Sequence, residues 1–208
     1  MKNEDFETLR ELIKSLQKPK RFKHTLGVEK EARLLGELLL PDKVEELAIA
    51  GILHDITKEL TTEAQLRLCK EYGISVAVDY APKLFHAITG CEFARRKLGA
   101  ELVTDEIYNG IRYHTTGREN MTLFEQIIYL ADYIEENRDF EDCILLRNYF
   151  YDNIKNANEF EQKIDVLTNT MVLSFDLTIK NLIQEERAID FDTIKARNYF
   201  LKSRRENG

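Results

Sequence analysis

The chain of 208 residues has no tryptophan, three prolines, nine glycines and three cysteines. So few prolines and glycines leave no room for flexible linkers, and no repeat or low-complexity tract is present. Cys69, Cys91 and Cys143 are odd in number, widely spaced and form no CxxC pair. That excludes a disulfide framework and a zinc ribbon. Free, buried thiols are the expectation, in keeping with a reducing cytoplasm. A run of about 18 apolar residues is missing, so no transmembrane helix and no membrane role are expected. The start, MKNEDFETLRELIKSLQ, is amphipathic and acidic, unlike a signal peptide. Basic residues are outnumbered 30 to 37, giving a net charge of −7. A nucleic-acid partner is therefore not expected. A nucleotide substrate is not excluded, because a metal ion can supply local positive charge. P-loop, GxSxG, HExxH and dinucleotide fingerprints are all absent.

What is present is helical periodicity. Apolar residues are 43% of the chain and charged residues 32%, enough for a core and a solvated surface. The spacing predicts an all-α fold of about eight to ten helices. They run over Asp5–Gln17, Lys20–Leu39, from an Asp42 cap to Asp55, from a Thr61 or Thr62 cap to Tyr72, and over Pro82–Leu98. Further on come Thr104–Tyr113, Thr122–Asn137, Asp139–Asn156, Glu159–Glu186 and Asp192–Lys202, then a frayed tail. Gly73 and Gly99 are the expected stops. Tyr72–Tyr80 reads as a loop or short extended segment.

Ionisable side chains recur on the apolar stripes of five helices. His24 shares a face with Val28, Ala32, Leu35 and Leu39, and His54 lies below Leu47 and Ala50. His86 precedes Gly90 and Ala94. His114 ends a stripe of Ile107, Gly110 and Ile111, and Asp132 ends one of Phe124 and Ile128. A single buried histidine is ordinary. A buried aspartate without a cation is costly, and one shared metal site accounts for all five placements together. His54 and Asp55 diverge by about 100° on a regular helix, so they can converge on an ion only near a helix end. Imidazoles with carboxylates suit iron, manganese, cobalt, zinc or nickel better than calcium or magnesium. A site with open positions suits metal-assisted hydrolysis, in which the ion acidifies water and polarises a phosphoryl oxygen. His86 and His114 can bind a second ion, contact phosphate or move a proton. Arg112, Thr115 and Arg118 near Gly117, together with Arg21, Lys23 and Lys58, offer phosphate contacts.

Five blocks in order carry a resemblance. RFKHTLGVEKEA, AGILHDITKEL, HAITGCEFARRKLG, IRYHTTGREN and IIYLADYIEENRDF resemble the HD-domain metal phosphohydrolases. Within them, RxxHTxGV and HTTGRxNM resemble the bacterial YqeK-type group of symmetrical diadenosine tetraphosphate hydrolases. The resemblance implies an HD-domain helical bundle over residues 1–157, with 158–208 a helical C-terminal extension on the same domain or on a homodimer partner. It implies an iron site of His24, His54, Asp55 and Asp132, with one ion favoured and two as the alternative. Catalysis is expected from His86, His114 and Asp55. Substrate is expected against Arg21, His24, Asp55, Lys58, His86, His114, Thr115, Arg118 and Asp132. The implied reaction splits a small-molecule dinucleoside polyphosphate into two ADP. A nucleotidase acting on another (deoxy)nucleotide and a non-catalytic nucleotide sensor remain as alternatives.

Overall fold

A computed structural model of the chain describes residues 3–76 and 81–206. Among them are ten α-helices and no strand. In chain order these are α1 (Asn3–Leu16), α2 (Pro19–Leu39), α3 (Val44–Leu53), α4 (Thr62–Tyr72) and α5 (Phe85–Leu98). They continue as α6 (Asp105–Tyr113), α7 (Leu123–Ile134), α8 (Glu141–Ile154), α9 (Phe160–Gln184) and α10 (Phe191–Glu206). The all-α expectation holds, and most boundaries agree to within two residues. The Ala77–Tyr80 part of the anticipated loop lies outside the described residues; Ile74–Val76 before it is irregular.

Local chemistry explains the ends. Thr61, Thr104 and Thr122 cap α4, α6 and α7 through their hydroxyls, and Glu125 completes a capping box at Thr122. Gly73 closes α4 in the left-handed region at φ 71°. Two expectations fail here. Asp42 does not cap α3, because Pro41–Lys43 forms a separate 3-10 turn and Lys43 takes the cap position without a side-chain bond. The residues after Asp192–Lys202 do not fray at once, since α10 continues to Glu206.

The central layer is α2 against α3 and α7. The α2 stripe of Val28, Ala32, Leu35 and Leu39 is fully buried, as are Leu47, Ile52 and Leu53 on α3. Each of the Val, Leu and Ile side chains among them contributes about 1.5–3 kcal/mol when removed from water. Gly51 lets the two helices touch: a Cβ there would stand 3.2 Å from the backbone nitrogen of Glu29. Helices α5 and α6 pack on one side. The α9 residues Leu167, Met171 and Phe175, with Ala196 and Phe200 of α10, join the same apolar core. The five apolar stripes that carry His24, His54, His86, His114 and Asp132 therefore meet inside one bundle.

Candidate metal centre

The helices deliver four histidines and two aspartates to one place. His24 comes from the second turn of α2 and Asp132 from the last turn of α7. Helix α3 stops at Leu53, so His54 is its C-cap and Asp55 starts a hydrogen-bonded turn through Ile56 N–Leu53 O and Lys58 N–Asp55 O, both 3.0 Å. That turn lets adjacent residues converge. Gln17 Nε2 donates to Asp55 O at 3.1 Å, and Thr57 Oγ1 donates to His86 O at 2.9 Å, tying the turn to the residue after α1 and to α5. His86 lies in the first turn of α5, and His114 follows α6 as its C-cap. All six side chains are buried.

Every imidazole has its Nδ1 turned outward onto an acceptor. His54 Nδ1 donates to Gly51 O at 2.6 Å, His86 Nδ1 to Lys83 O at 2.8 Å and His114 Nδ1 to Ile111 O at 2.7 Å. His24 Nδ1 donates to Glu135 Oε1 at 3.0 Å. Four Nε2 lone pairs are therefore aimed inward, the tautomer a metal ligand requires. Each faces a carboxylate oxygen, and His86 Nε2 also has a donor nearby, Lys58 Nζ at 3.1 Å. His24 Nε2 lies 3.0 Å from Asp132 Oδ1 and 3.9 Å from Asp55 Oδ2; His54 Nε2 lies 3.5 Å from Asp55 Oδ2 and 3.8 Å from Asp132 Oδ1. On the other Asp55 oxygen, Oδ1, His86 Nε2 stands at 3.2 Å and His114 Nε2 at 3.6 Å, with the two ring nitrogens 3.1 Å apart.

This donor set fits a divalent cation. Ligands about 2.0–2.2 Å from one ion are separated from their neighbours by about 2.8–3.1 Å in octahedral and about 3.3–3.6 Å in tetrahedral geometry. The imidazole-to-carboxylate separations among His24, His54, Asp55 and Asp132 span 3.0–3.9 Å. His24 Nε2, His54 Nε2 and Asp55 Oδ1 are buried and make no hydrogen bond, as does Thr115 Oγ1 beside them. Such orphaned polar atoms are costly unless an ion or ligand satisfies them. Two ligand groupings overlap at His54: His24, His54 and Asp132, and His54, Asp55 and His114.

The electrostatics agree. Burial pushes the Asp55 carboxyl up, but His54, His114 and His86 outweigh it and hold it well below the carboxylate range. Asp132 is held down in the same way, with Arg138 and His24 opposing burial. Burial lowers His54 and takes His86 down to about 4, so both are neutral at physiological pH. For His24 burial acts downward, and Asp132 with Glu135 overcomes it. Burial also lowers the Lys58 ammonium.

A family model described as the HD domain matches residues 21–137, more than half of the chain. The chain belongs to the HD domain family. The matched span contains both of the His and Asp groupings described above. A "Bis(5'-nucleosyl)-tetraphosphatase, symmetrical" of Halalkalibacterium halodurans is 32% identical, over 92% of this chain and 94% of its own length. A Bacillus subtilis protein of the same name is 35% identical, over 73% of this chain and 78% of its own. A crystal structure from Clostridium acetobutylicum, described as a "predicted HD superfamily hydrolase involved in NAD metabolism", superposes with a TM-score of 0.80. It is 31% identical, covering 95% of this chain and 97% of that one.

Around the HD centre the anticipated contacts divide. Arg21 Nη1 donates to Asp55 Oδ2 at 2.8 Å, and Lys58 Nζ lies 3.1 Å from His86 Nε2. Thr115 lines a cavity of about 460 Å³ whose floor holds Asp55, His86, His114 and Asp132. Arg118 is not brought there. Its guanidinium grips the buried Glu125 at 2.8 and 2.9 Å and braces the start of α7. Other residues were not anticipated. Glu135 orients His24, and Arg138 Nη2 donates to Asp132 Oδ1 at 2.7 Å. Both lie within six residues of Asp132, the one signal that pointed to them. Tyr129 and Tyr133 of α7 and Thr178, Asn181 and Leu182 of α9 wall the cavity.

Proposed function

We propose that this HD chain hydrolyses diadenosine tetraphosphate at its centre, releasing two ADP. The observation that carries the reading is the convergence of four inward imidazole lone pairs on two buried carboxylates at the floor of a cavity. The names of relatives matching over most of their length select the substrate.

His24, His54, Asp55 and Asp132 are the proposed ligands. A divalent ion held there supplies Lewis acidity to a phosphoryl oxygen and a more acidic water. Iron is the proposed metal, with manganese, cobalt, nickel and zinc as competitors for a mixed nitrogen and oxygen set. Glu135 keeps the His24 proton on Nδ1. Arg21 and Lys58 are placed to meet phosphate charge, which spreads over the equatorial oxygens as the bond breaks. Thr115 Oγ1, without a partner in the buried wall, is positioned to donate to the same oxygens. His86 and His114, whose Nε2 atoms face Asp55, are placed to take a proton from the attacking water and pass it to the departing ADP oxygen. The C-terminal residues 158–208 are read as an extension of the same domain, because α9 supplies core and cavity wall alike.

Three buried free thiols support a reducing, cytoplasmic setting, and among the described residues no helix is long and apolar enough to cross a membrane. Exposed Ile144, Leu145, Phe160 and Ile183 on α8 and α9 support a homodimer, which light scattering tests. The net charge of −7 supports a small-molecule substrate rather than nucleic acid. The decisive experiment is a nucleotide panel on anaerobically purified, iron-loaded protein. Two ADP from diadenosine tetraphosphate is the expected product. ATP plus AMP, or cleavage of nucleoside monophosphates alone, overturns the reading.

A further inference from the structure

A second cleft of about 590 Å³ reaches the same centre. It shares Lys58, Arg138 and Phe140 with the first cavity and includes His24 and Arg21. Beyond them it runs along the start of α2, past Lys18, Lys20 and Lys23. Six cations therefore line one cleft of a chain whose net charge is −7. The acids there are largely occupied: Glu59 pairs with Lys18 at 3.3 Å, and Glu135 is buried beneath His24 and Asn137. Asp139 is the third. Lys20 and Lys23 are exposed and make no ion pair among the described residues.

The helix itself adds to this charge. The first turn of α2 has no acidic residue, and its N-cap, Lys18, provides no side-chain bond to the free amides. Basic side chains at the positive end of a helix dipole repel it, and an anion there relieves both. Central cleavage, meanwhile, requires two equal arms, each an ADP, on either side of the broken bond. The first cavity, with its tyrosines and α9 wall, encloses a space suited to one nucleoside arm. The other arm needs a separate path from the centre, and the basic cleft is that path.

We propose that the cleft at the start of α2 seats the second ADP arm of the substrate, with Lys20 and Lys23 as its specificity-determining residues. The proposal rests on the hydrolase reading above. The two arms are then held unequally: one in a walled cavity with polar and aromatic sides, one in an open basic channel that recognises phosphate. A nucleotide with one arm binds the walled cavity tightly and the channel weakly, and only the dinucleotide engages both at once.

The test is the K20E/K23E variant of the full chain, loaded with metal. Both residues are exposed, so an unchanged melting temperature is the control for folding. The KM for diadenosine tetraphosphate is expected to rise about tenfold or more, with kcat held within about twofold. Calorimetric titration with ADP is expected to find two sites in the wild-type chain. The variant should keep the tighter one and lose the weaker. An unchanged KM, a wild-type chain that takes a single ADP, or equal weakening of both ADP sites overturns the proposal. Failure of the underlying reading shows elsewhere, as a wild-type chain that releases no ADP from the dinucleotide.

Discussion

Gly27 and Glu135 compete for one volume: a Cβ on Gly27 would overlap the Glu135 carboxylate that holds His24. Gly27 lies one turn after His24 on α2, and Glu135 follows α7 as its C-cap. The missing side chain on one helix makes room for the orienting group of the other. Gly27→Ala is therefore expected to push Glu135 off His24 Nδ1 and to weaken metal binding about 10–100-fold. Competition with a fluorescent chelator measures this directly. Glu135→Gln, which retains an acceptor for Nδ1–H, is expected to lose less than Glu135→Ala. Equal metal affinity in all three variants would remove Glu135 from any positioning role.

Arg118 follows a different logic. Its bidentate pair with the buried Glu125 secures the α7 cap, and it stands apart from the cavity floor. Truncation leaves a buried carboxylate with its Thr122 contacts alone. Arg118→Ala is expected to cost about 1–3 kcal/mol of stability, with KM for substrate unchanged. Urea denaturation beside steady-state kinetics separates the outcomes. A raised KM at unaltered stability would return Arg118 to the phosphate site.

The case of Arg118 shows what sequence could and could not convey. Its neighbours suggested a phosphate loop, yet a cation seven residues before a helix-capping glutamate has a local partner, and spacing does not rank the two. His24, His54, His86, His114 and Asp132 were legible because helical period alone puts them inside. The convergence of His54 and Asp55 depended on where α3 stops, and one residue of difference there decides it. The α9 wall was illegible. Thr178, Asn181 and Leu182 read as ordinary positions on a long amphipathic helix, and only the packing of α9 beside α7 turns them to the cavity. Nothing in the sequence marks Gly27 either, since its reason lies more than a hundred residues away.

Glu31 provides a pH-dependent prediction away from the centre. Burial raises its carboxyl above the usual range, and the Tyr151 hydroxyl, which donates to it, only partly opposes this. A raised folded-state pKa means the folded chain prefers the protonated form. Glu31 thus favours folding most below its unfolded pKa, and that benefit is lost as pH rises through the folded value. Glu31→Gln keeps an acceptor for Tyr151 and removes the buried charge. The variant is expected to melt above wild type at pH 8, with the gap narrowing toward pH 5. A gap that widens on acidification would reverse the sign of the Glu31 contribution.

The number of ions follows from Lys58. Asp55 turns Oδ2 toward His24 and His54 and Oδ1 toward His86 and His114, an arrangement that a second cation could bridge. Lys58 already brings a positive charge to that second side, 3.1 Å from His86 Nε2 and 4.0 Å from Asp55 Oδ1. An ammonium there repels a divalent ion competing for the same lone pairs. One ion per chain is therefore expected from metal analysis of the wild type. Asp132→Ala should empty that site, because His24 loses its nearest fellow ligand at 3.0 Å. Lys58→Met should instead admit a second equivalent, since it leaves both histidines and Asp55 in place without the ammonium. Two ions in the wild type would show that Lys58 swings away from His86 on metal binding. Full occupancy in Asp132→Ala would exclude Asp132 as a ligand.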